Sequence, residues 1–128
     1  KLKDNEINTD ESIITILGVT YKGNCSDIRN SKVFDLIHYL ERSGATLQVY
    51  DPLVDHKEVQ NEYQVNLTSF SELKPADILV LAVAHEKFLE FSVDDYLQLI
   101  KKDSLLLDIP GTINIKKFSG ERIDIWRL

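Results

Sequence analysis

Cysteine, proline and methionine are scarce in this sequence of 128 residues, which contains one Cys, three Pro and no Met. A single cysteine, Cys25, cannot form an internal disulfide or a CxxC zinc site, which fits a reducing compartment. The absence of a signal-type apolar region at the start of the sequence predicts a cytoplasmic protein. The three histidines, His38, His56 and His85, lack metal-ligand spacing, so no metal site is predicted. The missing initiator methionine indicates either a fragment of a longer protein or a processed N-terminus.

The sequence also lacks an excess of positive charge and any long apolar run. It has 15 Lys plus Arg against 21 Asp plus Glu, a net charge of −6. Phosphate neutralisation supplies most of the affinity for duplex nucleic acid, so we expect no nucleic-acid partner. The longest apolar runs, such as Ile78–Ala84, fall far short of the ~20 residues that span a bilayer, so we expect no membrane partner.

What is present is a regular alternation of strand and helix patterns. Hydrophobic residues make up 43% of the chain, which excludes disorder and suffices for one core. Ser12–Thr20 and Ala76–Ala84 are nearly continuous apolar runs, typical of strands buried on both faces. Ser31–Ser43 is an amphipathic helix, and Thr46–Tyr50 is the next strand. These patterns predict an α/β, three-layer αβα Rossmann-like domain with a mainly parallel sheet of five to six strands.

The helix ends and the second half of the chain are predicted less sharply. Asn30 or Ser31 is expected to cap the first helix, and Gly44 to follow its last turn in the left-handed conformation. Residues 1–11 are expected to be a tail or linker before a domain spanning 12–128. Between the second strand and Ala76 we expect a short helix or irregular turn in Leu53–Glu62, a minor strand at Tyr63–Val65 and a helical turn at Ser69–Leu73. After Ala84 we expect a helix that starts near Val93 after a Ser92 cap, and then a strand at Ser104–Leu107. An edge strand through Ile123 and Ile125, which could reach Leu128, is expected to end the domain.

Ligands of parallel sheets bind outside the carboxyl ends of the strands, so the residues after each strand are the candidates. The loop Thr20–Asn30 brings Lys22, Arg29 and an aromatic ring to a helix N-terminus, where an anion is favoured. The segment from Gly18 to Gly23 fits neither GxGxxG nor a P-loop. A phosphate site and a solvated loop that caps the helix are therefore both open.

Other candidate residues have structural explanations of equal or greater weight. Asp51 could bond a ribose hydroxyl, although an Asp-Pro turn is the commoner explanation. His85 could be an acid, a base or a ligand donor, or a histidine satisfied at a strand end. Cys25 lies near Lys22 and a helix N-terminus but is expected to pack. The pair Asp94-Asp95 is expected to favour the dipole of its helix rather than to carry chemistry.

Several strings together resemble one known family. Ile16–Ser31 (ILGVTYKGNCSDIRNS) resembles the motif that opens the C-terminal, UDP-binding domain of the UDP-glucose/GDP-mannose dehydrogenase family. Gly44-Ala45, Val49–Pro52 (VYDP) and Ala76-Asp77 are similar to later family segments, so the resemblance covers nearly the whole chain from Ser12. Ala82–Phe88 (AVAHEKF) is similar to the string of the branch that oxidises UDP-N-acetylhexosamines.

The resemblance implies two successive NAD-dependent hydride removals that convert the sugar C6 hydroxyl to a carboxylate through a cysteine-bound intermediate. The NAD-binding domain and the central segment with the catalytic cysteine are missing from this sequence. Cys25 matches a position within the loop motif rather than the nucleophile, so no catalytic residue is assigned here. The implied partners are a UDP-sugar, those two missing domains and, for the full-length enzyme, a second copy in a homodimer.

Residue by residue, the resemblance divides the loop between two ligands. Tyr21 and Lys22 match the pair that lines the UDP-sugar pocket, and Arg29 matches the arginine that faces NAD bound by the other domain. Family members often carry a cation where this chain has Pro110. Arg127, or Lys116, is the expected substitute for that charge.

Two alternatives to a dehydrogenase remain. One is a non-catalytic Rossmann-like module that binds a nucleotide or effector. The other is an NAD-binding domain in its own right, which is disfavoured because Val19–Lys22 stand where small residues must admit a pyrophosphate.

Overall fold

A computed structural model describes residues 12–127 of the chain. Five strands, β1 (Ile13–Leu17), β2 (Thr46–Tyr50), β3 (Ala76–Leu81), β4 (Ile100–Asp108) and β5 (Ile123–Arg127), form one sheet in the order β2-β1-β3-β4-β5. All four pairings are parallel. The predicted parallel sheet of five to six strands is therefore confirmed.

Helices cover both faces of the sheet and give it two hydrophobic cores. On one face, α1 (Val33–Glu41) and α2 (His56–Tyr63) bury residues such as Phe34, Ile37 and Val59 against the strands. On the other face, α3 (Glu86–Leu89) and α4 (Val93–Gln98) contribute Phe88 and Tyr96. Two further 3-10 turns lie at Phe70–Glu72 and Ile115–Phe118. This is the predicted three-layer αβα arrangement.

The central strands are shorter than their apolar runs predict, because turns follow them early. Gly18 adopts a φ of 95° directly after β1, and its N–H donates to the carbonyl of Tyr50 at 2.8 Å. β3 likewise ends at Leu81, although apolar residues continue to Ala84. β4 instead begins at Ile100, earlier than Ser104, with an irregular register opposite Ala76 and Ile78.

The predicted helix ends hold in part. Gly44 has a φ of 88°, and Ser92 forms a capping box with Asp95, as expected for a helix that begins at Val93. The first helix begins after Lys32, which has no side-chain cap, and the hydroxyl of Ser31 accepts a bond from the N–H of Val33 at 3.4 Å.

The segment between β2 and β3 corrects one prediction. Residues 56–63 form a helix capped by Asp55, and the predicted helical turn near residue 70 is present. The minor strand predicted at Tyr63–Val65 is wrong, because Tyr63 ends α2 and Gln64 turns left-handed with a φ of 56°. The ring of Tyr63 stacks on Phe34 at 3.7 Å, so this residue packs from a helix. The predicted tail at 1–11 and Leu128 lie outside the described residues.

Candidate functional site

The sheet order places a crevice at the carboxyl ends of β1 and β3. The connection after β1 crosses toward β2 while the chain after β3 crosses the other way, so the two neighbouring strand ends form the switch point at which such folds bind ligands. A cleft of about 400 Å³ opens there. It is lined by the loop after β1, the start of α1, the chain after β3 and the loop after β4, namely Thr20–Gly23, Asn30–Val33, Ala82–Ala84 and Pro110.

The loop after β1, Thr20–Asn30, lies beside this cleft and is called the lobe below. The N–H of Tyr21 donates to the carbonyl of Asp27 at 3.0 Å, which joins the two ends of the lobe. The hydroxyl of Tyr63 donates to the carbonyl of Ile28 at 2.8 Å and ties its far end to α2. Two hydrogen bonds to its main chain, one from within the loop and one from α2, therefore help to set the path of the loop.

Tyr21 and Lys22, the predicted substrate-binding pair, both line the cleft. The side chain of Tyr21 is 64% exposed, and that of Lys22 is exposed as well. The carbonyl of Lys22 accepts bonds from the Thr20 hydroxyl at 2.7 Å and from the Cys25 thiol at 3.2 Å. Its ammonium has no hydrogen-bond or ion-pair partner among residues 12–127. The backbone of Lys22 is thus held by hydrogen bonds, and nothing in the described part of the chain pairs with its charge.

Arg29, the predicted cofactor-binding residue, is not among the residues that line this cleft. Its side chain is 84% exposed and donates to both carboxylate oxygens of Asp27, at 3.0 and 3.2 Å. These bonds from Arg29 hold the pKa of Asp27 below its usual range and raise the pKa of Arg29. Lys22 and Arg29 therefore face different surroundings, as they must if they serve different ligands.

Asp51 and His85 are buried beneath the loop, and their side chains already form hydrogen bonds within the protein. Asp51 accepts from the N–H groups of Val19 and Leu53, both at 2.8 Å, and from His85 Nε2 at 2.8 Å. The bond to Leu53 is the Asp-Pro turn considered above. Both residues are almost fully buried, so neither is exposed to a ribose hydroxyl or to a reacting group. The interpretation of His85 as a satisfied strand-end histidine is supported.

The predicted substitutes for the cation at position 110 do not line the cleft. Arg127 donates to the carbonyl of Ile113, and its Nε lies 3.5 Å from Asp108. Lys116 lies on the second 3-10 turn and does not line the cleft. Pro110 itself does line it, and so does Lys32, an exposed cation that the sequence motifs did not single out. Its position directly before α1, at the end of the loop, was the signal available.

The predicted helix carboxylates are found where expected, and the described residues contain neither a metal-binding cluster nor a helix suited to cross a membrane. Asp94 and Asp95 lie in the first turn of α4. Among residues 12–127 no group of three or more metal-binding side chains converges. Over the same stretch, none of the helices has both the length and the apolar character needed to cross a membrane.

The crevice does not fit an NAD molecule bound in the usual manner of a Rossmann domain. A dinucleotide requires a tight, small-residue turn between the first strand and helix, with a free acid after the second strand. Here a long loop separates Leu17 from Val33, and the acid, Asp51, is buried and fully bonded.

The order β2-β1-β3-β4-β5, with a cleft at its switch point that Lys22 lines, defines a doubly wound, Rossmann-like α/β domain. Residues 15–115 match the model of the UDP-glucose/GDP-mannose dehydrogenase family, UDP binding domain, and the chain belongs to this family.

Individual relatives agree with this membership. Protein CapL of Staphylococcus aureus is 34% identical over 115 residues, which are 90% of this chain and 27% of that protein. UDP-N-acetyl-D-glucosamine 6-dehydrogenase of Salmonella typhi is 33% identical over 80% of this chain and 24% of its own. The NDP-N-acetyl-D-galactosaminuronic acid dehydrogenase structure from Methanosarcina mazei Go1 superposes with a TM-score of 0.84 at 21% identity, covering 98% of this chain and 26% of that one. The chain thus spans about a quarter of the length of these relatives.

Proposed function

We propose that this chain is the UDP-sugar-binding domain, spanning 12–128, of an NAD-dependent nucleotide-sugar 6-dehydrogenase. The enzyme would oxidise the C6 hydroxyl of a UDP-N-acetylhexosamine to a carboxylate for polysaccharide synthesis. The observation that carries the proposal is that Lys22 lines the switch-point cleft of a chain in this family, with no partner for its ammonium among residues 12–127. The names of the relatives support the choice of sugar.

In this proposal the cleft holds the nucleotide diphosphate. Lys22 and Lys32 both line it and supply two positive charges to the phosphates, with Tyr21 against the uracil, ribose or sugar. Lys32 takes the place of the cation that Pro110 lacks, since both residues line the same cleft. A substrate-binding role for Arg127 remains a prediction. Its guanidinium already contacts Asp108 and the carbonyl of Ile113, and these contacts would have to be exchanged for bonds to the substrate.

The remaining parts of the reaction belong to other segments of the same longer chain. NAD and the catalytic cysteine would come from an NAD-binding domain and a central segment, with residues 1–11 as the linker to them. Arg29 would face the NAD across the interdomain cleft. A homodimer of the full-length enzyme and a cytoplasmic location are part of the same proposal.

A calorimetric titration of the 128-residue chain with UDP tests the proposal. We expect saturable but weak binding, because a site that lacks the contacts of the other domains loses affinity and preorganisation. Lys22→Ala should abolish the binding heat, and Lys57→Ala, which removes an exposed lysine from α2, should leave it unchanged. NAD should give no heat. Equal UDP binding by the two lysine variants, or NAD binding by the chain, would overturn the proposal.

A further inference from the structure

Three polar side chains are buried between the lobe and the neighbouring strand ends. His85, directly before α3, is 1% exposed, Thr20 is 1% exposed and Asp51 is 2% exposed. His85 Nδ1 accepts a bond from the backbone N–H of Asn24 at 2.9 Å. Its Nε2 lies 2.8 Å from Asp51 Oδ2 and 3.3 Å from the hydroxyl of Thr20. One imidazole therefore joins β2, α3 and two points of the loop.

The hydrogen-bond network fixes the tautomer of this ring. A backbone N–H can only donate, so Nδ1, which receives the bond from Asn24, carries no proton. The ring proton is then on Nε2 and points at the carboxylate of Asp51. Asp51 is itself held by the N–H groups of Val19 and Leu53. Asp51, which is held by the residues after β1 and β2, thus orients the His85 ring so that Nδ1 can accept the bond from Asn24.

We propose that His85 is a positioning residue that holds the loop carrying Tyr21 and Lys22 against the cleft, through its bond to the N–H of Asn24; this inference rests on the proposed UDP site. Asn24 lies two residues after Lys22 and adopts a left-handed φ of 58°. Its side-chain oxygen accepts from the N–H of Glu86 at 2.7 Å, so the main chain and the side chain of Asn24 are both bonded to the start of α3.

The burial and the bonds of the His85 ring favour a structural role over direct contact with the substrate. The ring is buried, so it is not exposed to substrate, and its two nitrogens are both used within the protein. A ligand-binding lysine on a loop without such an anchor would be in the right place only part of the time. The apparent dissociation constant rises in inverse proportion to that fraction.

Two partial replacements of the imidazole separate positioning from simple stability. In His85→Asn the side-chain oxygen stands where Nδ1 stands and can still accept from Asn24. In His85→Gln the amide can still reach Asp51, while the acceptor for Asn24 is lost. Each variant keeps one of the two main bonds of a buried polar residue, so we expect similar losses in melting temperature.

The first test needs no ligand. Nitrogen-15 spectra of the 128-residue chain should show His85 as the neutral ring with its proton on Nε2. The amide of Asn24 should be protected from hydrogen exchange in the wild type and in His85→Asn but should exchange freely in His85→Gln, with unchanged protection in β1 and β3. A ring protonated on Nδ1 in the wild type would overturn the proposal even if neither variant folds.

The second test is UDP affinity. We expect the dissociation constant for UDP of His85→Asn to stay near the wild-type value and that of His85→Gln to rise about tenfold. A tenfold rise corresponds to a loop that is in its binding-competent conformation in about a tenth of the molecules. Equal affinities of the two variants would refute the positioning role. If the wild type binds no UDP, the proposed function fails, whereas the exchange data still decide whether His85 anchors the loop.

Discussion

The carbonyl oxygen of Ala84 lies 2.6 Å from the point that a Cβ atom on Gly23 would occupy. The loop after β1 therefore touches the chain that follows β3, main chain against main chain. Only glycine permits this approach, because any other side chain would begin within the radius of the carbonyl. The contact brings together two of the segments that line the cleft.

Gly23→Ala should displace the lobe and weaken UDP binding. The obstacle is backbone rather than the end of a flexible side chain, so the loop must move, at a cost of about 1–3 kcal/mol in the free energy of unfolding. Urea denaturation and a UDP titration would measure the two effects. Ser26→Ala, an exposed position in the same loop, should change neither. Wild-type affinity in Gly23→Ala would show that this contact does not shape the cleft.

Tyr63→Phe removes one hydrogen bond and preserves the aromatic stack. The lost bond runs from the hydroxyl to the carbonyl of Ile28, and the ring keeps its place on Phe34. We expect a loss of about 1 kcal/mol in stability and faster amide exchange near residue 28. Tyr39→Phe provides the matched control, since the Tyr39 ring is 64% exposed. Equal stabilities of the two variants would contradict this role.

Asp51→Asn should be far more damaging than its small change in shape suggests. The carboxylate accepts three hydrogen bonds from Val19, Leu53 and His85, whereas an amide offers one oxygen and turns an NH2 group toward a donor. A buried donor without a partner costs about 1–3 kcal/mol. Thermal unfolding should show a clear drop in melting temperature. The same substitution at Asp55, the exposed cap of α2, should be nearly neutral because Asn caps as well as Asp.

The bond between Arg29 and Asp27 makes a prediction about pH. The pKa of Asp27 is lowered in the folded chain, first by the side-chain hydrogen bond from Arg29. The stabilisation of the folded chain by the ionised Asp27 is therefore complete above the usual aspartate pKa of 3.8. It is lost as the pH falls through the lower pKa of the folded state. In Arg29→Ala, carbon-13 titration of Asp27 should give a higher pKa than in the wild type, and Arg42→Ala should leave it as it was. An unchanged pKa in Arg29→Ala would show that the pair does not form in solution.

The sequence predicted the sheet and the position of the site because these depend on local patterns. Apolar runs mark the buried strands, and the residues after a parallel strand must meet at one edge of the sheet. Tyr21 and Lys22 were placed at the cleft on that basis and by the family motif. Strand ends were predicted less well, since Gly18 turns the chain while the run of apolar residues continues.

What the sequence could not provide were contacts between distant segments. Tyr63 looks like a strand residue in isolation, and its place at the end of a helix follows from its stack on Phe34. Lys32 is an ordinary surface lysine until α1 is seen to begin at the cleft. The bond from Asn24 to His85 joins residues 61 positions apart, and no spacing rule would pair them.

The central claim is that UDP binds at the carboxyl ends of β1 and β3, and an amide-shift map tests it most directly. Nitrogen-15-labelled chain titrated with UDP should show its largest shifts at residues 20–23, 30–33 and 82–84, the segments that line the cleft. The aromatic hollow between α4 and the second 3-10 turn, lined by Phe91, Tyr96 and Phe118, should stay unchanged. Shifts centred on that hollow, or no shifts at saturating UDP, would contradict the account.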